Sequence, residues 1–167
     1  MRTFVVLGFG AVAALGCHSD SSSGPDADIT TYDCAADPRG ETFVVGLEKM
    51  GAAGLIDVKL MSVTPAPPAR GNNSWQIVLS SMSNGTVGAP MDGMASNITV
   101  TPYMPDHGHG TPILVEVMAV DGQAGTYTLD PLNLWMPGLW QNTIEVTQGS
   151  GSAETIDHVV YDFCLPD

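Results

Sequence analysis

Apolar residues in this chain recur with a period of two, in short runs set off by glycine and proline. Residues 74–82, SWQIVLSSM, show the pattern best. Trp75, Ile77 and Leu79 alternate with Gln76, Val78 and Ser80, as expected of a strand with one face in a core. Similar runs lie at 42–48 (TFVVGLE), 55–63 (LIDVKLMSV), 97–103 (NITVTPY), 113–120 (ILVEVMAV), 125–130 (GTYTLD), 139–147 (LWQNTIEVT) and 155–164 (TIDHVVYDFC). Between them stand turn sequences such as NGT, DGQAG and MPGLW. No stretch offers an amphipathic helix of useful length, and the glycines of EKMGAAG, residues 48–54, predict a hairpin turn there. The expected fold is therefore all-β: an immunoglobulin-like antiparallel β-sandwich of about seven or eight strands, forming one domain over residues 34–167. No internal repeat or second linker divides it.

The first residues follow a different rule. MRTFVVLGFGAVAALGC has one basic residue, an apolar run from Phe4 to Leu15 and small residues closing on Cys17. It predicts a secretory signal peptide over residues 1–16, too short for a permanent membrane helix. Ala14-Leu15-Gly16-Cys17 resembles a bacterial lipobox, although the pattern usually has Leu at the place of Ala14 and a small residue at that of Leu15. The resemblance makes Cys17 the acylated first residue of the mature protein; the other reading is ordinary cleavage that leaves Cys17 a spare thiol. The stretch that follows, HSDSSSGPDADIT, has almost nothing to bury, so residues 17–33 are expected to be a flexible tether. These features predict a lipoprotein of the bacterial cell envelope, anchored to a membrane by its N-terminal lipid and facing the periplasm or the cell surface.

Two further cysteines, Cys34 and Cys164, bracket the predicted domain, and in an oxidising compartment they are expected to pair. A metal site on them is the weaker alternative, since neither has a CxxC or CxH neighbour. Loss of Arg2 with the signal takes the chain from five basic residues to four, Arg39, Lys49, Lys59 and Arg70, against 18 acidic ones. No basic stripe exists to neutralise phosphates, which argues against nucleic acid as a partner. Nothing in the chain points to an enzyme. There is no nucleophile elbow, HExxH, phosphate-cradling glycine loop or Cys/His pair with a free thiol.

Four blocks carry a resemblance: GNNSWQIVL (71–79), NGTVGAP (84–90), NITVTPYMPDHGHGTP (97–112) and GTYTLDPLNLWMPGLWQNTIEV (125–146). Their order and spacing are similar to those of the YtkA-like domain, with a looser similarity to FixH-type and CopC-type sandwiches. The resemblance covers residues from about 55 to 147. It implies a small extracytoplasmic β-sandwich, often lipid-anchored, and a link to copper suggested by a Met/His-rich loop.

MPDHGHG, residues 104–110, is the candidate for that chemistry. Imidazole suits copper and zinc, and thioether sulfur favours Cu(I). In an extended chain His107 and His109 point to the same side, and Met104 lies three residues before the first of them. Further sulfur is available from Met91 and Met94 in APMDGMAS and from Met136 in LWMPGLW. The competing reading is a shaped turn without any ligand, because Pro105, Asp106, Gly108 and Gly110 are all turn residues. Met82 and Met118 are expected to pack, His158 to be a partly buried strand histidine, and Trp135 and Trp140 to be core or sheet-edge aromatics beside the MPGL turn. Two functions of different class follow. One is an envelope module that holds or passes copper through His107, His109 and methionine sulfur. The other is a structural or protein-interaction domain of the envelope with no metal.

Overall fold

The structure is a computed structural model that describes residues 32–167. The predicted signal peptide 1–16, Cys17 as the expected lipid acceptor and most of the expected tether 17–33 lie outside the described residues. Ten strands follow in chain order: β1 (Leu47–Met50), β2 (Ile56–Thr64), β3 (Gly71–Ser83), β4 (Thr86–Pro90), β5 (Ile98–Met104), β6 (His109–Gly110), β7 (Glu116–Ala119), β8 (Thr126–Leu134), β9 (Gly138–Gln148) and β10 (Thr155–Leu165). All pairings are antiparallel. One sheet runs β1-β2-β3-β8-β7, with β4 also on β3; the other runs β10-β9-β5-β6. This is the expected two-sheet sandwich, with two strands more than the pattern suggested. The additions are β4 and β6, too short and glycine-rich to show a period.

The period of two becomes the core directly. Ile56, Val58 and Leu60 of β2 and Trp75, Ile77 and Leu79 of β3 face Ile144 and Val146 of β9 and Val159, Tyr161 and Phe163 of β10, all buried. Each such aliphatic or aromatic side chain contributes about 1.5–3 kcal/mol on burial. Trp75 bridges the two sheets, edge-on to Tyr161 at 6.2 Å and to Phe163 at 5.5 Å between centroids.

Some local expectations are corrected by the packing. Of 42–48 only the end is strand: Leu47 N–H closes a turn on the Val44 carbonyl, and Gly46 sits at φ 86°, so Val44 and Val45 stay exposed. The strand expected at 125–130 runs on to Leu134 through Pro131, which the ladder tolerates because the β3–β8 register shifts between Asn73 and Trp75. The buried Asn73 side chain serves that irregularity by donating to the carbonyls of Ala69 and Gly71. Met118 is exposed rather than packed, and His158 faces outward with Ile156.

The expected disulfide is present. Cys34 and Cys164 are bonded, with Cα atoms 5.5 Å apart across 130 residues of chain. Tyr32 and Asp33, placed in the tether by composition, already belong to the folded part. Tyr32 N–H donates to Asp167, and Asp33 accepts from the Ala35 N–H. The segment from Tyr32 to Glu41 is thereby held along β10, where Glu41 N–H reaches the Asp162 carbonyl.

Candidate functional site

β5 and β6 form a hairpin whose register pairs Tyr103 with Gly110 and Met104 with His109. The four residues between are Pro105, Asp106, His107 and Gly108, and the Met104 carbonyl closes the turn by accepting from the N–H groups of His107 and Gly108. Gly108 is needed because its φ is +69°. Gly110 is needed because a Cβ there would collide with the Pro102 carbonyl oxygen of the facing strand. Met104 is fully buried, its methyl end lying 2.9 Å from where a Cβ on Gly138 would sit. It is a core side chain beneath the hairpin.

Asp106 is also accounted for. Arg39 grips its carboxylate with both terminal nitrogens, at 2.7 and 2.6 Å. The same guanidinium holds Asp37, through Nε at 2.9 Å and a terminal nitrogen at 2.7 Å. The Tyr32 hydroxyl lies 2.6 Å from Asp37 and 3.0 Å from Asp106, and its one proton serves one carboxylate at a time. Arg39, followed by the Tyr32 hydrogen bond, keeps the Asp37 carboxyl well below the usual carboxylate range, and the same two neighbours lower that of Asp106. Bonding to Asp37, together with burial and Asp106, pushes the Tyr32 hydroxyl up to about 12. Both aspartates are thus ionised in this cluster. The N-terminal arm, stapled to β10 by the disulfide, clamps the turn from outside.

Of MPDHGHG, only the imidazoles have no such task. Their ring centroids are 5.7 Å apart and the planes are tilted by 53°. The proximity comes from the turn, with His107 in the loop and His109 in the strand, and not from alternation along an extended chain. His109 stacks on Trp135 at 5.7 Å and 21°. Its Nδ1 lies 3.1 Å from the Gly110 carbonyl oxygen. A carbonyl only accepts, so this contact puts the proton on Nδ1 and leaves the Nε2 lone pair free. Ligating histidines are commonly oriented by such a bond on the other ring nitrogen.

The candidate methionines separate. Met136 neighbours Trp135 on the β8–β9 connection, at the imidazole end of the sandwich, and is half-buried. Its carbonyl accepts from Trp140 Nε1–H at 3.0 Å, which satisfies the buried Trp140 indole, while Trp135 is 46% exposed. Met91 and Met94 stand before β5 begins, whereas the histidines stand after it ends. A strand of that length keeps them about 20 Å apart. They flank the Tyr127 hydroxyl, which donates to the Met91 carbonyl and accepts from the Met94 N–H. The geometry therefore brings together His107, His109 and Trp135 at the hairpin that buries Met104, with Met136 packed partly on the core beside Trp135 in the chain, and leaves out Met91 and Met94. Among the described residues no three His, Cys, Asp or Glu side chains converge as a ligand group. The Arg39 clamp, 67 residues from Asp106, and the His109–Trp135 stack had no local signal beyond the nearness of Trp135 to the MPGL turn.

No curated protein and no solved structure matches the chain. A family model does, over residues 53–145, which is more than half of the chain and spans the sandwich from the β1–β2 hairpin to most of β9. The chain belongs to the YtkA-like family.

Proposed function

We propose that this protein is a lipid-anchored domain of the bacterial cell envelope that binds a copper ion through His107 and His109. The observation that carries the reading is the imidazole pair itself. Every other residue of MPDHGHG is consumed by the hairpin, the core or the Arg39 clamp, while the two imidazoles project together beside Trp135. Metal–nitrogen bonds of about 2 Å hold two imidazoles on one ion with centroids about 5 to 6 Å apart, a range that includes the 5.7 Å seen here. Structural zinc takes four protein ligands. Two imidazoles joined by a thioether suit Cu(I) better, and Met136, next in the chain to Trp135 and half-buried against the core, is the methionine that would turn outward to supply the sulfur. His109 brings a free Nε2, the Trp135 stack fixes its ring plane, and the Arg39 clamp holds the turn in shape. An envelope location is supported by the signal-like N-terminus, by Cys17 and by a disulfide that needs an oxidising compartment.

The test is a Cu(I) titration of the mature chain carrying Cys17→Ser, with ascorbate as reductant so that the disulfide survives, against a competing chelator. One-to-one binding that quenches Trp135 fluorescence and is lost in His107→Ala/His109→Ala is expected, with Met136→Leu weaker by about tenfold. Binding unchanged in the double variant would remove the imidazoles from the function.

A further inference from the structure

The sandwich guards its open sheet edges unequally. Along β10 the outward carbonyls of His158, Val160 and Asp162 are taken by the Ala52 N–H, the Lys49 ammonium and the Glu41 N–H. β4 ends in Pro90, β5 contains Pro102, and β1 carries Glu48 and Lys49. Proline, lysine and covering segments are the usual defences against strand addition.

β7 is short and carries one charge, Glu116, and the turn of helix at Ala95–Asn97 packs near it, but it has neither proline nor lysine, and no hydrogen bond among the described residues caps its outer edge. Val120 N–H donates to the Thr126 carbonyl, which sets the ladder so that Glu116 and Met118 bond towards β8. The same alternation, carried one residue before the strand, turns the backbone groups of Val115, Val117 and Ala119 away from β8, and no turn or loop hydrogen bond among the described residues reaches them. Side chains alternate as a half-buried strand requires. Val115 and Val117 pack on the core, while Leu114 is 86% and Met118 is 48% exposed on the outer face. Between them on that face stands Glu116, directly opposite Asp130 of β8. Like charges facing across a ladder destabilise it, and none of the ion pairs among the described residues involves either carboxylate.

We propose that the β7 edge docks an extended, mainly apolar segment of another protein, with a lysine or arginine opposite Glu116, as an added strand of the six-stranded sheet. The backbone groups of Val115, Val117 and Ala119 bond the incoming strand, Leu114 and Met118 flank its side chains, and its cation relieves the Glu116–Asp130 repulsion. A second copy of this chain fits worse, because it brings another acid pair and another strongly negative body to the same line.

The mature chain carrying Cys17→Ser is titrated with a short peptide of alternating valine and threonine bearing one central lysine, and with its glutamate counterpart, while amide exchange is followed by NMR. The lysine peptide is expected to bind about tenfold tighter at low salt, with the gap narrowing as salt rises. It should slow exchange at Val115, Val117 and Ala119. Glu116→Lys, an exposed substitution that removes the acid pair, should invert the preference. Equal affinity for the two peptides, no slowing at these amides with millimolar peptide, or slowing confined to other sites would overturn the proposal. So would slow exchange at the three amides without peptide, accompanied by a concentration-dependent doubling of mass, which would assign the edge to a second copy.

Discussion

Asp157 is buried and ionised, and removing its charge is expected to cost a large part of the domain's stability. It lies on β10 with its carboxylate turned to the β1–β2 hairpin. Oδ1 accepts from the N–H groups of Ala53 at 2.7 Å and His158 at 2.8 Å, and Oδ2 from those of Leu55 at 2.8 Å and Ile56 at 3.1 Å. Gly51 passes so close that any Cβ there would overlap the carboxylate. Burial alone would raise the Asp157 pKa, but the four N–H donors outweigh it and hold the group below its ordinary value. Hydrogen bonds to a charged group are worth about 1.5–3 kcal/mol each, and an orphaned buried donor costs about 1–3 kcal/mol. Asp157→Asn keeps one acceptor oxygen but turns an NH2 towards two donors, so a loss of about 3 kcal/mol is expected. Asp157→Ala orphans all four N–H groups and should cost about 4 to 5 kcal/mol, less whatever water recovers.

The assay is urea unfolding of wild type and both variants with the disulfide intact, at neutral pH and again in acid. A group with a depressed folded pKa contributes stability that is present above its unfolded pKa and is lost as pH falls through the folded one. The gap between wild type and Asp157→Asn should therefore be full at pH 7 and shrink below about pH 4. A gap under about 1 kcal/mol for Asp157→Ala, or a gap independent of pH, would refute the claim that this carboxylate staples the two sheets.

Other outcomes follow from the same structure. Cys34→Ala/Cys164→Ala should lower stability by up to about 5 kcal/mol, the chain-entropy value for a loop of this length, read as a drop in melting temperature that reducing agent reproduces in wild type only. Burial, then the Glu48 hydrogen bond and charge, push the Asp57 carboxyl up to about 6. A carboxyl with a raised folded pKa loses stability as pH rises through the range between its unfolded and folded values. Asp57→Asn should then be more stable than wild type by about 3 kcal/mol at pH 7, and the advantage should vanish below about pH 4 in the same unfolding experiment.

The class of structure follows from the order of residues alone. Strand periodicity is a local property: side chains on an extended backbone alternate sides, so a half-buried strand shows as a period of two wherever it lies in the fold. That is why β2, β3, β5, β9 and β10 were legible to within a few residues, and the inward faces with them, while the Cys34–Cys164 pair was legible from the cysteine count alone. The short β4 and β6 left no such trace. The tertiary structure alone decided which members of a Met/His-rich chain meet. Met91, Met94, Met104 and Met136 are chemically alike in sequence, but the direction of β5 sends the first two to the far end and the core takes the third, while the crossover between sheets brings Trp135 onto His109 and leaves its neighbour Met136 half-buried against the core. Likewise Asp106 found Arg39 across 67 residues, and Asp157 found four backbone donors more than 100 residues away or next door. Such meetings depend on register and on which strands are neighbours. Both are settled by burying all the apolar faces at once, and no local stretch of chain encodes them.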